Sequence, residues 1–176
     1  RVLRAYFYFE LLKRYGGVPI VKTTLSADDN THLPRNTVDE VVNYIVSEID
    51  ASKDSLITNW GRDFDIGLDG RITKGAALAL KSRVLLYAAS PLYVDFGDTN
   101  EANKPTDVAL WKSAADAAKA VIDLNQYELA SSYADLFKND FQNKEYIFVR
   151  RYAANSDFEK SNFPVSFGGK GGTNPS

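Results

Sequence analysis

Gly70-Arg-Ile-Thr73-Lys-Gly-Ala-Ala-Leu-Ala-Leu-Lys-Ser-Arg-Val-Leu-Leu-Tyr-Ala-Ala-Ser-Pro91 is the stretch that decides the fold. Thr73 is suited to cap a helix, its hydroxyl accepting from a free backbone N–H of the first turn. Ser90-Pro91 ends the run, because proline disfavours helical backbone in the residue before it. After Gly75 only Lys81, Ser82 and Arg83 interrupt the apolar composition. A helix that is apolar nearly all round is buried on more than one side. Ala76, Ala77, Ala79, Ala88 and Ala89 let neighbouring helices approach toward ~8 Å. The stretch therefore predicts a central helix with partners on several faces. It specifies architecture and no chemistry.

Upstream, residues 1–15 predict a helix. Leu3, Phe7 and Leu11 share one face, which Tyr6, Phe9 and Leu12 widen, leaving Arg1, Arg4, Tyr8, Lys13 and Arg14 to water. Gly16-Gly17 supplies a left-handed cap and Pro19 blocks resumption. A polar loop over 20–36 follows the short extended run Val18-Pro-Ile-Val21. Thr37-Val-Asp-Glu40 then has the form of a capping box. Val38, Val41, Val42, Ile45 and Ile49 make an apolar stripe, with Asp39, Asn43, Ser47, Asp50 and Lys53 opposite. This helix reaches about Leu56 and lies amphipathically on a core.

Downstream, Pro91 to Thr106 predicts a long exposed loop. A helix over 107–124 carries Leu110, Trp111, Ala114, Ala115, Ala118, Val121 and Ile122 on its apolar side. Tyr127-Glu-Leu129 is short and extended, Tyr133–Phe137 is a single helical turn, and Glu145–Tyr152 predicts a strand. Two helix pairs emerge, 1–15 with 37–55 and 73–89 with 107–124, which is the pattern of a helical repeat. The expected fold is mostly α, with tetratricopeptide-like helix pairs, a short β strand or hairpin, and irregular loops toward the C-terminus. The helical domain spans 1–152, and 153–176 is an irregular loop.

Composition bounds the function. The 176 residues suit one domain, with 44% hydrophobic, 25% charged and a net charge of −2. Without a basic excess there is no footprint for nucleic acid. No apolar run reaches the ~18 residues that a membrane helix needs. Cysteine is absent, which removes disulfides, zinc-thiolate sites and thiol nucleophiles together. Methionine is absent too, and Arg1 stands inside an already helical pattern. The expectation is a piece of a longer protein, with any lipid-anchor cysteine upstream.

Candidate chemistry sits in the loops. Asp63, Asp65 and Asp69 space carboxylates as a calcium loop does. Gly67, Leu68 and Lys74 depart from the EF-hand pattern, and the three aspartates equally suit turns. His32 is the single histidine, so there is no imidazole pair for a metal or a proton relay. Trp60, Tyr93 and Phe96 are loop aromatics that could offer a flat face to a sugar. A glycoside hydrolase needs two carboxylates held at a fixed separation. Near neighbours on one loop impose none, and no nucleophile–base pair is present, so the chain reads as a non-enzyme that needs no cofactor.

Several blocks resemble a known family. Arg4-Ala-Tyr-Phe-Tyr-Phe-Glu-Leu-Leu-Lys-Arg-Tyr-Gly-Gly-Val-Pro-Ile20 is similar to the helix and Gly-x-Val-Pro exit of the SusD/RagB family. Pro34-Arg-Asn-Thr-Val-Asp-Glu40, Gly70–Leu80 through Tyr87-Ala-Ala-Ser-Pro91, and Trp111 through Tyr127-Glu-Leu129, Tyr133–Phe137 and Glu145–Phe148 follow in the family's order. The resemblance implies a SusD-like α-α superhelix in a glycan-binding outer-membrane lipoprotein of the starch-utilisation type. It implies an oligosaccharide ligand and a SusC-like TonB-dependent transporter as partner, with the helices as the scaffold facing that transporter. The family's sugar-contacting aromatics mostly lie outside these blocks, so no ligand residue is carried over. Two other readings stand beside it: a protein-interaction scaffold that binds no sugar, and a glycoside hydrolase.

Overall fold

The computed structural model describes residues 1–26, 28, 32–60, 70–94, 108–137, 143–150 and 157–162. Helix α1 spans Val2–Tyr15, α2 Val38–Asp50, α3 Lys74–Ala89, α4 Pro91–Val94, α5 Val108–Ile122 and α6 Asp157–Asn162. Short 3-10 turns follow at Lys53–Ser55 and Tyr133–Phe137. The four long helices stack in chain order: α1 packs on α2, α2 on α3, and α3 most extensively on α5. One core joins Val2, Ala5, Phe9 and Leu12 of α1, Val41, Val42, Ile45 and Ile49 of α2, and Ala77 and Val84 of α3. Among the described residues no helix is long and apolar enough to cross a membrane.

The central helix starts where its sequence dictates. Thr73 accepts from the Ala76 N–H at 3.1 Å. Gly75, Ala76, Ala77 and Leu78 are buried, and so are Val84 and Ala89 further along. Gly75 is a close approach: a Cβ there would lie 1.9 Å from the Tyr127 hydroxyl, so the missing side chain seats that ring. Ser90 ends α3, but Pro91 then opens the single turn α4, where a loop was expected. Proline suits a first helical position because its absent N–H is not needed there. Tyr93 N–H donates back to Ser90 O at 3.0 Å.

The stripe of α2 is borne out. Val41, Val42, Ile45 and Ile49 are buried, and both capping-box bonds form, Glu40 N–H to Thr37 at 3.2 Å and Thr37 N–H to Glu40 at 2.9 Å. The join between α1 and α2 depends on one crossing. A Cβ on Gly17 would meet the Asn36 carbonyl oxygen at 2.0 Å. Asn36 N–H donates to Val18 O, its side-chain oxygen accepts from Ile20 N–H at 2.9 Å, and its amide donates to Glu40 at 3.0 Å. Arg35 donates to the Tyr15 and Gly17 carbonyls at the end of α1. The Gly-Gly-Val-Pro exit and the Arg-Asn-Thr entry are thus two halves of one clasp.

Three further expectations are corrected. In α1 the buried face is Val2, Ala5, Phe9 and Leu12, while Leu3, Phe7 and Leu11 are exposed. In α5, Ala114 and Ala117 are buried with Leu110 and Val121 half-buried beside them, whereas Trp111, Ala115, Ala118 and Ile122 face outward. Both helices are apolar on two sides, so periodicity alone selects the wrong one. The strand expected over Glu145–Tyr152 does not form among the described residues, which reach Arg150. One backbone bond, Glu128 N–H to Lys144 O at 3.3 Å, ties this segment to the stretch after α5, and the Glu145 carboxylate accepts from the Ala130 N–H at 2.7 Å.

Candidate functional site

The segment leading into α3 brings polar and aromatic groups together. Lys74 N–H donates to Ile57 O at 2.9 Å and brings the end of the α2 segment beside the start of α3. Trp60 lies half-buried across this junction. Its indole N–H donates to Ile72 O at 3.0 Å, and the Arg71 guanidinium stands 5.5 Å from its ring centroid, a cation–π arrangement. Trp60 therefore tucks against α3 through its edge, and Arg71 lies over one face of the ring.

A charge network crosses from α2 and the turn after it to α3. Asp50 accepts from Lys53 at 2.6 Å and from Lys81 at 2.7 Å, and Asp54 accepts from Lys74 at 2.8 Å. Partial burial pushes the Asp50 carboxyl up. The hydrogen bonds from Lys53 and Lys81 outweigh this and hold it below the usual carboxylate range. Lys74 lowers the exposed Asp54 in the same sense. These carboxylates are neutralised by lysines and none is raised toward a general acid. Sequence reasoning assigned Asp50 to the open face, and Lys81 was one of three breaks in an apolar run. The eventual pairing gives no local signal, since 31 residues separate the partners.

Tyr93 is 7% exposed. Its ring lies 5.7 Å from that of Tyr87, which meets Phe9 edge-on at 5.2 Å. Tyr93 thus serves the core, with no open face for a sugar. Phe96 and the calcium candidates Asp63, Asp65 and Asp69 lie outside the described residues. Among the described residues no cluster of His, Cys, Asp and Glu is placed to hold a metal. His32 is exposed. Of the two candidate aromatics among the described residues, Trp60 is at the junction and Tyr93 is in the core.

A family model described as "SusD-like", starch-binding and associating with the outer membrane, matches residues 2–86, the stretch from α1 to the last turn of α3. This match and the relatives below support membership of the SusD-like family. A SusD-like protein of Formosa agariphila is 28% identical over 142 residues, 78% of this chain and 23% of its own length. The crystal structure of a SusD-like protein from Bacteroides fragilis is 30% identical with a TM-score of 0.67, covering 89% of this chain and 27% of that one. A second from the same species, a SusD-like carbohydrate-binding protein, superposes with a TM-score of 0.71 over 96% of this chain at 24% identity, which speaks for the fold. The chain thus spans about a quarter of the length of these relatives (23%, 27% and 29%). The SusD-like helical scaffold expected from the sequence is the one observed.

Proposed function

We propose that this chain is the helical scaffold of a non-catalytic glycan-binding lipoprotein at the cell outer membrane. Its helices face a TonB-dependent transporter of the SusC type, and the whole polypeptide captures oligosaccharide for that transporter. The observation that carries this reading is the family match over 2–86, whose description names starch binding and outer-membrane association.

Trp60 is the residue we assign to ligand contact. A pyranose presents an apolar C–H face that suits an indole ring, and the adjacent Arg71 supplies donors for hydroxyl groups. Calorimetry on the full-length protein with malto-oligosaccharides tests this. Trp60→Ala weakens binding by ~10-fold, a loss of about 1.4 kcal/mol in affinity. Trp60→Phe, which keeps a ring but loses the N–H bond to Ile72, retains most of it. Equal affinity in all three proteins removes Trp60 from the site. Release of shorter sugars by the purified protein overturns the non-catalytic reading.

A second reading, a protein-interaction scaffold that binds no sugar, is favoured by the engagement of Tyr93 and Tyr87 in core packing. Capture of the transporter by the full-length protein without sugar, and no binding of any glycan, would select it.

A further inference from the structure

The cations at the junction of the α2 segment with α3 are of two kinds. Asp50 holds Lys53 and Lys81, and Asp54 holds Lys74, so a carboxylate already answers each of these charges. Arg71 is held differently. Its guanidinium stands 5.5 Å from the Trp60 ring centroid, and among the described residues no carboxylate or carbonyl accepts a hydrogen bond from it. Arg71 is exposed, beside a half-buried Trp60.

Three consecutive residues build this arrangement. Gly70 has φ 89°, a left-handed backbone that glycine adopts without strain, and it turns the chain just before Arg71. Ile72 O accepts from the Trp60 indole N–H at 3.0 Å, which fixes the ring by its edge. Arg71 lies between these two anchors and over the ring. The indole N–H is thus used within the chain, and the guanidinium covers one ring face. What the pair offers to a polar substituent is the set of guanidinium N–H donors.

Those donors select by shape and charge. A guanidinium is a planar fork whose paired N–H groups match the two oxygens of a carboxylate. A sugar hydroxyl uses one donor of the fork and leaves the positive charge unanswered. Stacking also shields one face of the guanidinium from water, and charges interact more strongly where water is excluded. The chain carries a net charge of −2, so it has no general pull on anions and a preference for one must be local.

We infer that, where Trp60 contacts ligand as proposed above, the Trp60–Arg71 pair takes an acidic sugar, with a uronate carboxylate in the Arg71 fork and the sugar ring beside the indole.

Calorimetry on the full-length protein compares maltoheptaose with the same sugar oxidised to carboxylates at its primary hydroxyls. The oxidised sugar binds the wild type ~10-fold more tightly. Arg71→Gln erases the difference, and Arg71→Lys, which keeps the charge without the fork, retains part of it. Arg83→Gln, which removes an exposed arginine further along α3, leaves the difference in place. Equal affinities in the wild type, with binding still weakened in Trp60→Ala, overturn the acidic-sugar assignment alone and leave Trp60 as a neutral-sugar contact. A difference that survives Arg71→Gln, or that Arg83→Gln removes equally, also overturns it, since the attraction is then not that of Arg71. Tighter binding of the neutral sugar does the same, and points to repulsion from the acidic sequence that holds Asp63, Asp65 and Asp69. Failure of both sugars to bind, or affinities unchanged in Trp60→Ala, removes the site itself.

Discussion

At the residue scale, two glycines set distances that no other residue allows. Gly75 lies on the buried face of α3, where alanine would normally favour the helix by ~1 kcal/mol. The Tyr127 ring occupies the space that a Cβ needs. Gly75→Ala therefore destabilises the chain by about 1–3 kcal/mol, through forced displacement of that ring. In a Tyr127→Ala background the same change turns neutral or stabilising, because the obstruction is gone and the helix preference remains. Urea unfolding of the four proteins reads the sign directly; a loss of equal size in both backgrounds would show that Tyr127 is not the cause. Gly75 was legible in the sequence as a small residue early in a buried helix. Its partner 52 positions away was not, since nothing local marks Tyr127 as the ring that fills the gap.

At the scale of elements, the legible helices were those with one apolar side. The starts of α2 and α3 follow from Thr37 and Thr73, and the α2 stripe followed from five branched residues at helical spacing, while α2 ends at Asp50 instead of the expected Leu56. Faces were lost in α1 and α5, where the second side is as apolar as the first and hydrophobicity cannot rank them. The polar tie between α2 and α3 has its own signature. Asp50 is held ionised below its ordinary range by Lys53 and Lys81 against the cost of partial burial. Its folded pKa lies below the unfolded one, so its contribution is complete above the ordinary aspartate value, about 3.9, and fades as pH falls through the folded value. The stability difference between the wild-type chain and Asp50→Asn is therefore largest near neutrality and shrinks on acidification below about pH 4. Other lowered carboxylates, Glu10 and Asp54 among them, act equally in both proteins and cancel in that difference. A difference that stays constant down to pH 2 would mean that the lysines contribute nothing through Asp50.

At the scale of the whole molecule, the core cluster runs without a break through α1, α2 and α3. Shared burial of this kind makes the helices unfold together. Ile45, fully buried on α2, touches that cluster at its centre; Ile45→Ala costs about 2–5 kcal/mol and lowers one transition rather than splitting it. The two tryptophans lie outside α2 itself, Trp60 at the junction of the α2 segment with α3 and Trp111 on α5. Their fluorescence and the far-ultraviolet dichroism shift together; a fluorescence midpoint left in place would mean that the stack melts in sections. The candidate site was less legible than the fold at this scale. An aromatic in a polar stretch is a fair sign of a ligand platform, yet Tyr93 turned inward because Tyr87 and Phe9 leave a place for its ring, a neighbour relation fixed only by the tertiary packing.

The clasp at Gly17 and Asn36 has a consequence for what can vary. Because Val18 and Ile20 are bound to Asn36, the two ends of the segment between α1 and α2 are pinned together whatever lies between them. Doubling the length of such a tethered loop adds only ~0.6 kcal/mol of closure entropy. A change in the length of the segment between these two ends is therefore expected to leave the register of the bundle as it is, because the clasp and not the intervening residues holds α1 to α2.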